Sequence, residues 1–229
     1  MLVEIKNILS PEQISNIQGH LAKGQFIDGK LSAGSAAIRV KNNQELTQDG
    51  KLIDYLNNLV MTPLVSNPVY QAAVMPLRVA SPFYARYHPG MHYGDHVDDP
   101  VMGQANAAPG GGLYRTDVST TVFLNNPDDY DGGELMINTS FGRTSIKLNA
   151  GDAITYPSSS LHQVTEVTGG ERLVAVTWAQ SMVRDPAQRE LLYTLYHAKE
   201  KLLRERPQDS ETAQVNTAYI NLVRMWSEL

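Results

Sequence analysis

His96-Val97-Asp98 is the stretch of this chain best placed to do chemistry. On an extended strand, residues i and i+2 point to the same face, so an imidazole and a carboxylate aim at one point. A second imidazole from His162 completes a two-His-one-carboxylate set, which leaves open positions on a non-haem Fe(II) for dioxygen and a chelating co-substrate. The same donors suit Mn and Zn, so they do not by themselves select iron. His-x-Asp alone has little specificity. A distal histidine on a strand, followed ten residues later by a strand-borne arginine, sharpens it. His88 and His92 flank the turn Pro89-Gly90 and are not expected to bind the metal; His20 and His197 fall on expected helices.

Arg172 selects the chemistry. It opens the run Arg-Leu-Val-Ala-Val-Thr-Trp, which otherwise reads as a strand buried on at least one face. A buried arginine is costly without an anionic partner, and its planar fork fits a carboxylate in bidentate fashion. The bland alternative is an arginine at a strand end reaching out to water. If the two segments are limbs of one hairpin with Thr168-Gly169-Gly170 as a three-residue loop, Arg172 pairs with Glu166, roughly 13 Å along the strand from His162. Allowing about 6 Å for the arginine side chain, the remaining gap fits a short dicarboxylate that chelates the metal at its other end. Tyr87 and Tyr93 lie on the approach to His96. Tyr87 is a candidate for binding the co-substrate and Tyr93 for the substrate pocket, against the alternative that both pack between sheets.

The elements that position these residues are legible in outline. Ser10-Pro11-Glu12-Gln13 reads as a helix start with a capping box, and Ile14, Ile17 and Leu21 give that helix an apolar stripe. Leu52, Ile53, Leu56, Leu59 and Val60 mark a second helix. From about Val69 to Gln180 the pattern changes to short β-rich runs, among them Thr120 to Leu124, Glu134 to Asn138, Thr144 to Leu148, Leu161 to Val167 and Arg172 to Ala179. Turn residues separate them, as in a sandwich or small barrel. Helical periodicity returns beyond Asp185, with a last helix after Ser210. Val101 to Arg115, rich in glycine and small polar residues, reads as a mobile loop and a candidate lid over the site.

At 229 residues the chain can bury a substantial core. A net charge of −5 argues against a nucleic-acid or membrane-surface partner. The absence of cysteine excludes disulfides, thiolate metal sites and cysteine nucleophiles. No apolar run approaches membrane-spanning length and no leader pattern opens the chain, so the cytoplasm is the expected compartment. A homo-oligomer is left open.

With these residues placed, the chain resembles the Fe(II)- and 2-oxoglutarate-dependent dioxygenases, and more narrowly the bacterial PKHD-type hydroxylases. The resemblance rests on Tyr87-His-Pro-Gly-Met-His-Tyr-Gly-Asp-His-Val-Asp-Asp, Arg115-Thr-Asp-Val-Ser-Thr-Thr-Val-Phe-Leu-Asn and Asp131-Gly-Gly-Glu-Leu, and continues through Tyr156-Pro-Ser-Ser-Ser-Leu-His-Gln-Val to Gly170-Glu-Arg. It implies an α+β fold: a double-stranded β-helix (jelly-roll) core over 67–182, flanked by an N-terminal helical segment over 1–66 and a C-terminal one over 183–229. It also implies iron bound by His96, Asp98 and His162, and 2-oxoglutarate held through its distal carboxylate by Arg172. L-ascorbate is implied as a reductant for the iron. The reaction implied is hydroxylation of a small-molecule or peptidyl substrate by dioxygen, releasing succinate and CO2. Two other readings share parts of this pattern. A non-redox cupin-like metalloenzyme would keep the jelly roll and the triad with no reason to place Arg172 at the metal. A non-catalytic sensor of iron or 2-oxoglutarate would keep both sites but lack a substrate channel.

Overall fold

A computed structural model describes residues 1–48, 50–103 and 112–229 of the protein. The ten-residue strand Arg172–Ser181 organises it. Strand side chains alternate between faces. Val174 and Val176 accordingly join one apolar core with Ala85, Tyr87, Phe123, Ile137 and Ile154, while Leu173, Ala175 and Ala179 join another with Ile17, Leu21, Leu56, Val60 and Tyr70. One face of this strand is thus turned to a second sheet and the other to helices.

The larger sheet runs, in spatial order, Val3–Ile5, Ala153–Pro157, Val118–Phe123, Arg172–Ser181, Phe83–Tyr87, Gln44–Leu46 and Phe26–Asp28, with Pro76–Val79 on the far half of the long strand. The smaller sheet runs Gly142–Ile146, Leu135–Thr139, His162–Val164, His92–His96 and Lys41–Asn42. Every pairing is antiparallel. The two sheets form the α+β jelly roll. Helices α1 (Pro11–Leu21), α2 (Lys51–Ser66) and α3 (Pro68–Val74) cover the outer face of the larger sheet. Helices α4 (Pro186–Glu205) and α5 (Ser210–Trp226) pack on each other, where Val183 and Leu192 meet Tyr219, Leu222 and Trp226. No helix among the described residues is long and apolar enough to cross a membrane.

The capping box at the start of α1 forms: the Gln13 amide donates to Ser10 Oγ at 3.2 Å and the Ser10 amide to Gln13 Oε1 at 2.9 Å. Three expectations need correction. The β-rich region does not begin at Val69, because Asn67-Pro68 starts α3; Asn67 Oδ1 accepts from the amides of Val69 and Tyr70 at 2.9 and 3.2 Å. Nor are the first 66 residues only helical. They also supply the strands Val3–Ile5, Phe26–Asp28, Lys41–Asn42 and Gln44–Leu46, the last two joining opposite sheets. Finally, His162 and Arg172 are not limbs of one hairpin. The run from Leu161 to Val167 breaks at Thr165–Glu166, and Val167–Gly170 instead pairs with Tyr130–Gly132 while the chain crosses between sheets. Arg172 lies opposite Tyr87 rather than Glu166. The crossing is possible because Gly132 (φ 69°) brings its backbone against the Glu166 carbonyl, leaving no room for a Cβ. Of the glycine-rich segment Val101 to Arg115, the ends pair as Val101–Met102 with Tyr114–Arg115; residues 104–111 of the expected lid lie outside the described residues.

Gly133 and Gly19 predict opposite effects of the same substitution. Gly133 has φ 67°, and an added Cβ would sit 2.9–3.0 Å from Val167, Arg172 and Tyr130 side chains. Gly133→Ala should destabilise the protein by about 1–3 kcal/mol in urea unfolding. Gly19, in α1 with nothing within 4 Å of an added Cβ, should be stabilised as alanine by about 0.5–1 kcal/mol. Loss of stability at position 19, or none at 133, would contradict the described backbone.

Candidate metal centre

His162 and His96 pair directly across neighbouring strands of the smaller sheet, and their ring centroids are 4.2 Å apart. Asp98 follows two residues after His96, just beyond its strand. One donor atom from each of the three lies within 4.8 Å of the others, the single such group of His, Asp or Glu among the described residues. Each imidazole is oriented through its other nitrogen: His96 Nδ1 lies 2.8 Å from the Gly94 carbonyl and His162 Nδ1 2.9 Å from the Ser160 carbonyl. With Nδ1 donating, Nε2 is left as the lone-pair atom, and both Nε2 atoms face Asp98 Oδ1 at 3.9 and 3.8 Å. Those separations are too long for hydrogen bonds. Three donors converge without satisfying one another, as donors awaiting a cation do.

His96 is held neutral. Burial, and then the neighbouring His162, push its imidazole down to about 4, so the ligating form is the resident one at pH 7. Tyr93 stacks on His96 with centroids 3.6 Å apart and planes 9° from parallel, and Tyr156 presents an edge to His162 at 5.1 Å. His88 stands 3.5 Å from Glu171, and neither His88 nor His92 belongs to the converging group.

Arg172 is on the same side. It lines a cavity of about 110 Å³ together with His96, Asp98 and His162, and it is 1 % exposed. Its guanidinium carbon lies 5.0 Å from the Tyr87 ring and 5.9 Å from the Phe123 ring. Its Nε has no hydrogen-bond partner, and no carboxylate among the described residues pairs with it. A cation in that position is incomplete without an anion, and the two imidazoles and Asp98 line the same cavity. Such a site fits a metal chelated by a ligand with a distal carboxylate. Tyr87, buried beside Arg172, has its phenol pushed up by burial and partly back down by the guanidinium, so it is a hydroxyl donor at neutral pH. Tyr93 also lines the cavity.

Sequence reasoning missed other lining groups. Lys41 and Glu45 form a buried ion pair at 2.5 Å, with Lys41 also donating to Ser32 at 2.9 Å. Phe83, Met102 and Trp178 extend the wall beyond the metal side chains. Trp178 follows Arg172 on one face of the expected strand and was therefore readable by alternation. Lys41 and Glu45 gave no such signal, because the short strands that carry them lie in a stretch with no clear period.

A model of the 2OG-Fe(II) oxygenase superfamily matches residues 82–180, and one of the PKHD-type hydroxylase C-terminal domain matches residues 186–228. The chain is 50% identical to a PKHD-type hydroxylase of Thioalkalivibrio sulfidiphilus over 229 residues, all of both chains. Among solved structures it is similar to a Trichoplax adhaerens prolyl hydroxylase in complex with a hypoxia inducible factor peptide fragment, with TM-score 0.56 and 19% identity over 83% of this chain and 86% of that one. A Pseudomonas putida prolyl-4-hydroxylase matches with TM-score 0.53 and 16% identity over 79% and 92%. At these identities the two structures speak for the fold.

The depressed His96 gives a pH prediction for the metal-free protein. A histidine whose folded pKa is below its unfolded value binds fewer protons when folded, so its contribution is fully present above the unfolded value and lost as pH falls. The window runs from about 6.5 down to about 4. His96→Gln should therefore lose less stability than the parent between pH 7 and pH 5 in urea unfolding. An equal loss in both proteins would show that His96 titrates normally.

Proposed function

We propose residue roles and a reaction from one premise: the chain belongs to the PKHD-type hydroxylases, a family of Fe(II)- and 2-oxoglutarate-dependent oxygenases. It is a 2-oxoglutarate-dependent hydroxylase. In our reading His96, Asp98 and His162 hold the iron. Arg172 takes the distal carboxylate of 2-oxoglutarate, Tyr87 binds the same co-substrate from the neighbouring strand, and Tyr93 lines the substrate pocket. The observation that carries this is the buried Arg172 guanidinium, with its Nε unpaired and no carboxylate of the described residues beside it, in the cavity of the three converging donors.

With iron and 2-oxoglutarate bound, dioxygen supplies the oxidation that hydroxylates a substrate C–H bond, and the 2-oxo acid leaves as succinate and CO2. The chain's own work is binding and orientation. Arg172 fixes the far end of the dicarboxylate through a charge-assisted bond in a dry site. The Gly94 and Ser160 carbonyls fix the two imidazoles. Tyr87, Tyr93 and Tyr156 close the walls and limit water beside the metal. No side chain is needed to move a proton. L-ascorbate fits as an external reductant that keeps the iron divalent. The substrate side of the cavity, with Phe83, Met102 and Trp178, accepts a largely apolar group, in keeping with an amino-acid side chain in a peptide or a small molecule; the Trichoplax relative is described with a peptide. We assign residues 67–182 to the oxygenase unit, completed by strands of both sheets from residues 1–66, 183–229 to a flanking helical segment, and the reaction to the cytoplasm. A non-redox cupin gives no reason for a buried arginine in the metal cavity, and a sensor gives none for the wall beyond the metal.

The roles separate by substitution. Arg172→Ala should weaken 2-oxoglutarate binding by about 2–5 kcal/mol, as for a desolvated charge partner, yet spare iron binding. Tyr87→Phe should raise the KM for 2-oxoglutarate. Asp98→Ala should abolish succinate formation in a protein that still melts cooperatively. If Arg172→Ala binds 2-oxoglutarate like the parent, the co-substrate assignment fails.

A further inference from the structure

The two oxygens of Asp98 have different surroundings. Oδ1 faces the two histidine Nε2 atoms at 3.9 and 3.8 Å. Oδ2 instead accepts a hydrogen bond from the Ser119 hydroxyl. A serine hydroxyl has one proton, and that of Ser119 is spent on the carboxylate. Ser158 Oγ lies 2.7 Å from Ser119 Oγ, so in this second contact Ser158 is the donor. The result is a directed chain, Ser158 to Ser119 to Asp98 Oδ2, with each bond polarising the next.

The chain is built in. Ser119 is 0 % and Ser158 2 % exposed. Ser119 stands in the wholly buried strand Val118–Phe123, flanked in register by Tyr156 and Trp178. Ser158 follows the next strand, and its amide donates to the Asp117 carbonyl at 3.1 Å. Ser119 belongs to the larger sheet and Ser158 directly follows one of its strands, whereas Asp98 follows a strand of the smaller one. The contact therefore spans the sandwich and ties the carboxylate to a wall that does not carry the histidines. In a strand whose every residue is buried, a hydroxyl aimed at one carboxylate oxygen serves the carboxylate.

We infer that Ser119, backed by Ser158, is a positioning residue that keeps Asp98 a one-oxygen ligand. The inference rests on the reading of His96, Asp98 and His162 as the iron site. Three single-atom protein donors leave three of six positions open, two for a chelating 2-oxo acid and one for dioxygen. A carboxylate free to bind through both oxygens removes one of them. By engaging Oδ2 in a buried, charge-assisted bond, Ser119 opposes that swing.

The test uses the full-length parent, Ser119→Ala and Ser158→Ala, with anaerobic Fe(II) and then 2-oxoglutarate as probes. Three quantities are read: the Fe(II) dissociation constant, the 2-oxoglutarate dissociation constant at saturating iron, and the melting temperature of the metal-free protein. Ser119→Ala should weaken iron binding ~10–100-fold, the usual effect of losing a group that orients a ligand. It should also weaken 2-oxoglutarate binding even when iron is saturating, which a loss of metal affinity alone does not do. Ser158→Ala should shift both in the same direction by less. Unchanged 2-oxoglutarate affinity in iron-saturated Ser119→Ala overturns the inference while leaving the iron site standing. If Ser119→Ala does not fold, Ser158→Ala decides by the same criterion. Failure of the parent itself to bind Fe(II) overturns the iron-site reading and this inference with it.

Discussion

A guanidinium 1 % exposed, with no carboxylate of the described residues beside it, is the constraint around which the rest of the structure is arranged. Left alone, a buried cation costs several kcal/mol. Part of that is offset by the faces of Tyr87 and Phe123. The close packing that keeps water from Arg172 depends on Gly133, where a side chain would collide with it. The remainder of the cost is left for a ligand to relieve. In the proposed reading anion binding and folding are thus coupled: a protein that supplied its own aspartate here would be more stable and would have nothing to hold the co-substrate.

The sandwich divides the labour. The smaller sheet presents two imidazoles on paired strands, His162 opposite His96, so one register fixes both. The larger sheet presents Arg172, with Tyr87 across from it, and Ser119, which reaches over to Asp98. The two histidines and Arg172 therefore sit on different sheets, and their separation is set by sheet-to-sheet packing rather than by the length of one strand. Packing of this kind changes little under load. The Lys41–Glu45 pair adds a further tie between the sheets, because Lys41 pairs with Tyr93 on one and Glu45 with Ala85 on the other.

Much of this was legible in the sequence, and the part that was not has a physical reason. His96-x-Asp98, His162 and Arg172 stood out because they are costly residues in apolar strands. The face of Arg172 could be read by alternation. Its distance from His162 could not, since Thr168-Gly169-Gly170 satisfies hairpin chemistry equally well whether the chain turns back or crosses to the other sheet. What decides is the pairing of Val167–Gly170 with Tyr130–Gly132, nearly forty residues earlier. Short edge strands such as Lys41–Asn42 leave no period to detect. Ser119 gave no signal either, for a serine in a buried strand announces nothing until the carboxylate opposite is known. α3 could have been read from Asn67-Pro68, a cap followed by proline at the first helical position.

The central claim is that one molecule spans the cavity, chelating the metal held by His96, Asp98 and His162 while Arg172 holds its far end. Anaerobic titration of the Fe(II)-loaded protein with 2-oxoglutarate tests it most directly, through the weak visible charge-transfer absorption of an iron-chelated 2-oxo acid. The account predicts that the absorption appears and saturates at one equivalent in the parent. In Arg172→Ala it should require far more 2-oxoglutarate, while pyruvate, which has the same chelating end and no distal carboxylate, should bind both proteins alike. A correctly folded, iron-loaded parent that develops no such absorption, or that does not distinguish 2-oxoglutarate from pyruvate, would contradict it.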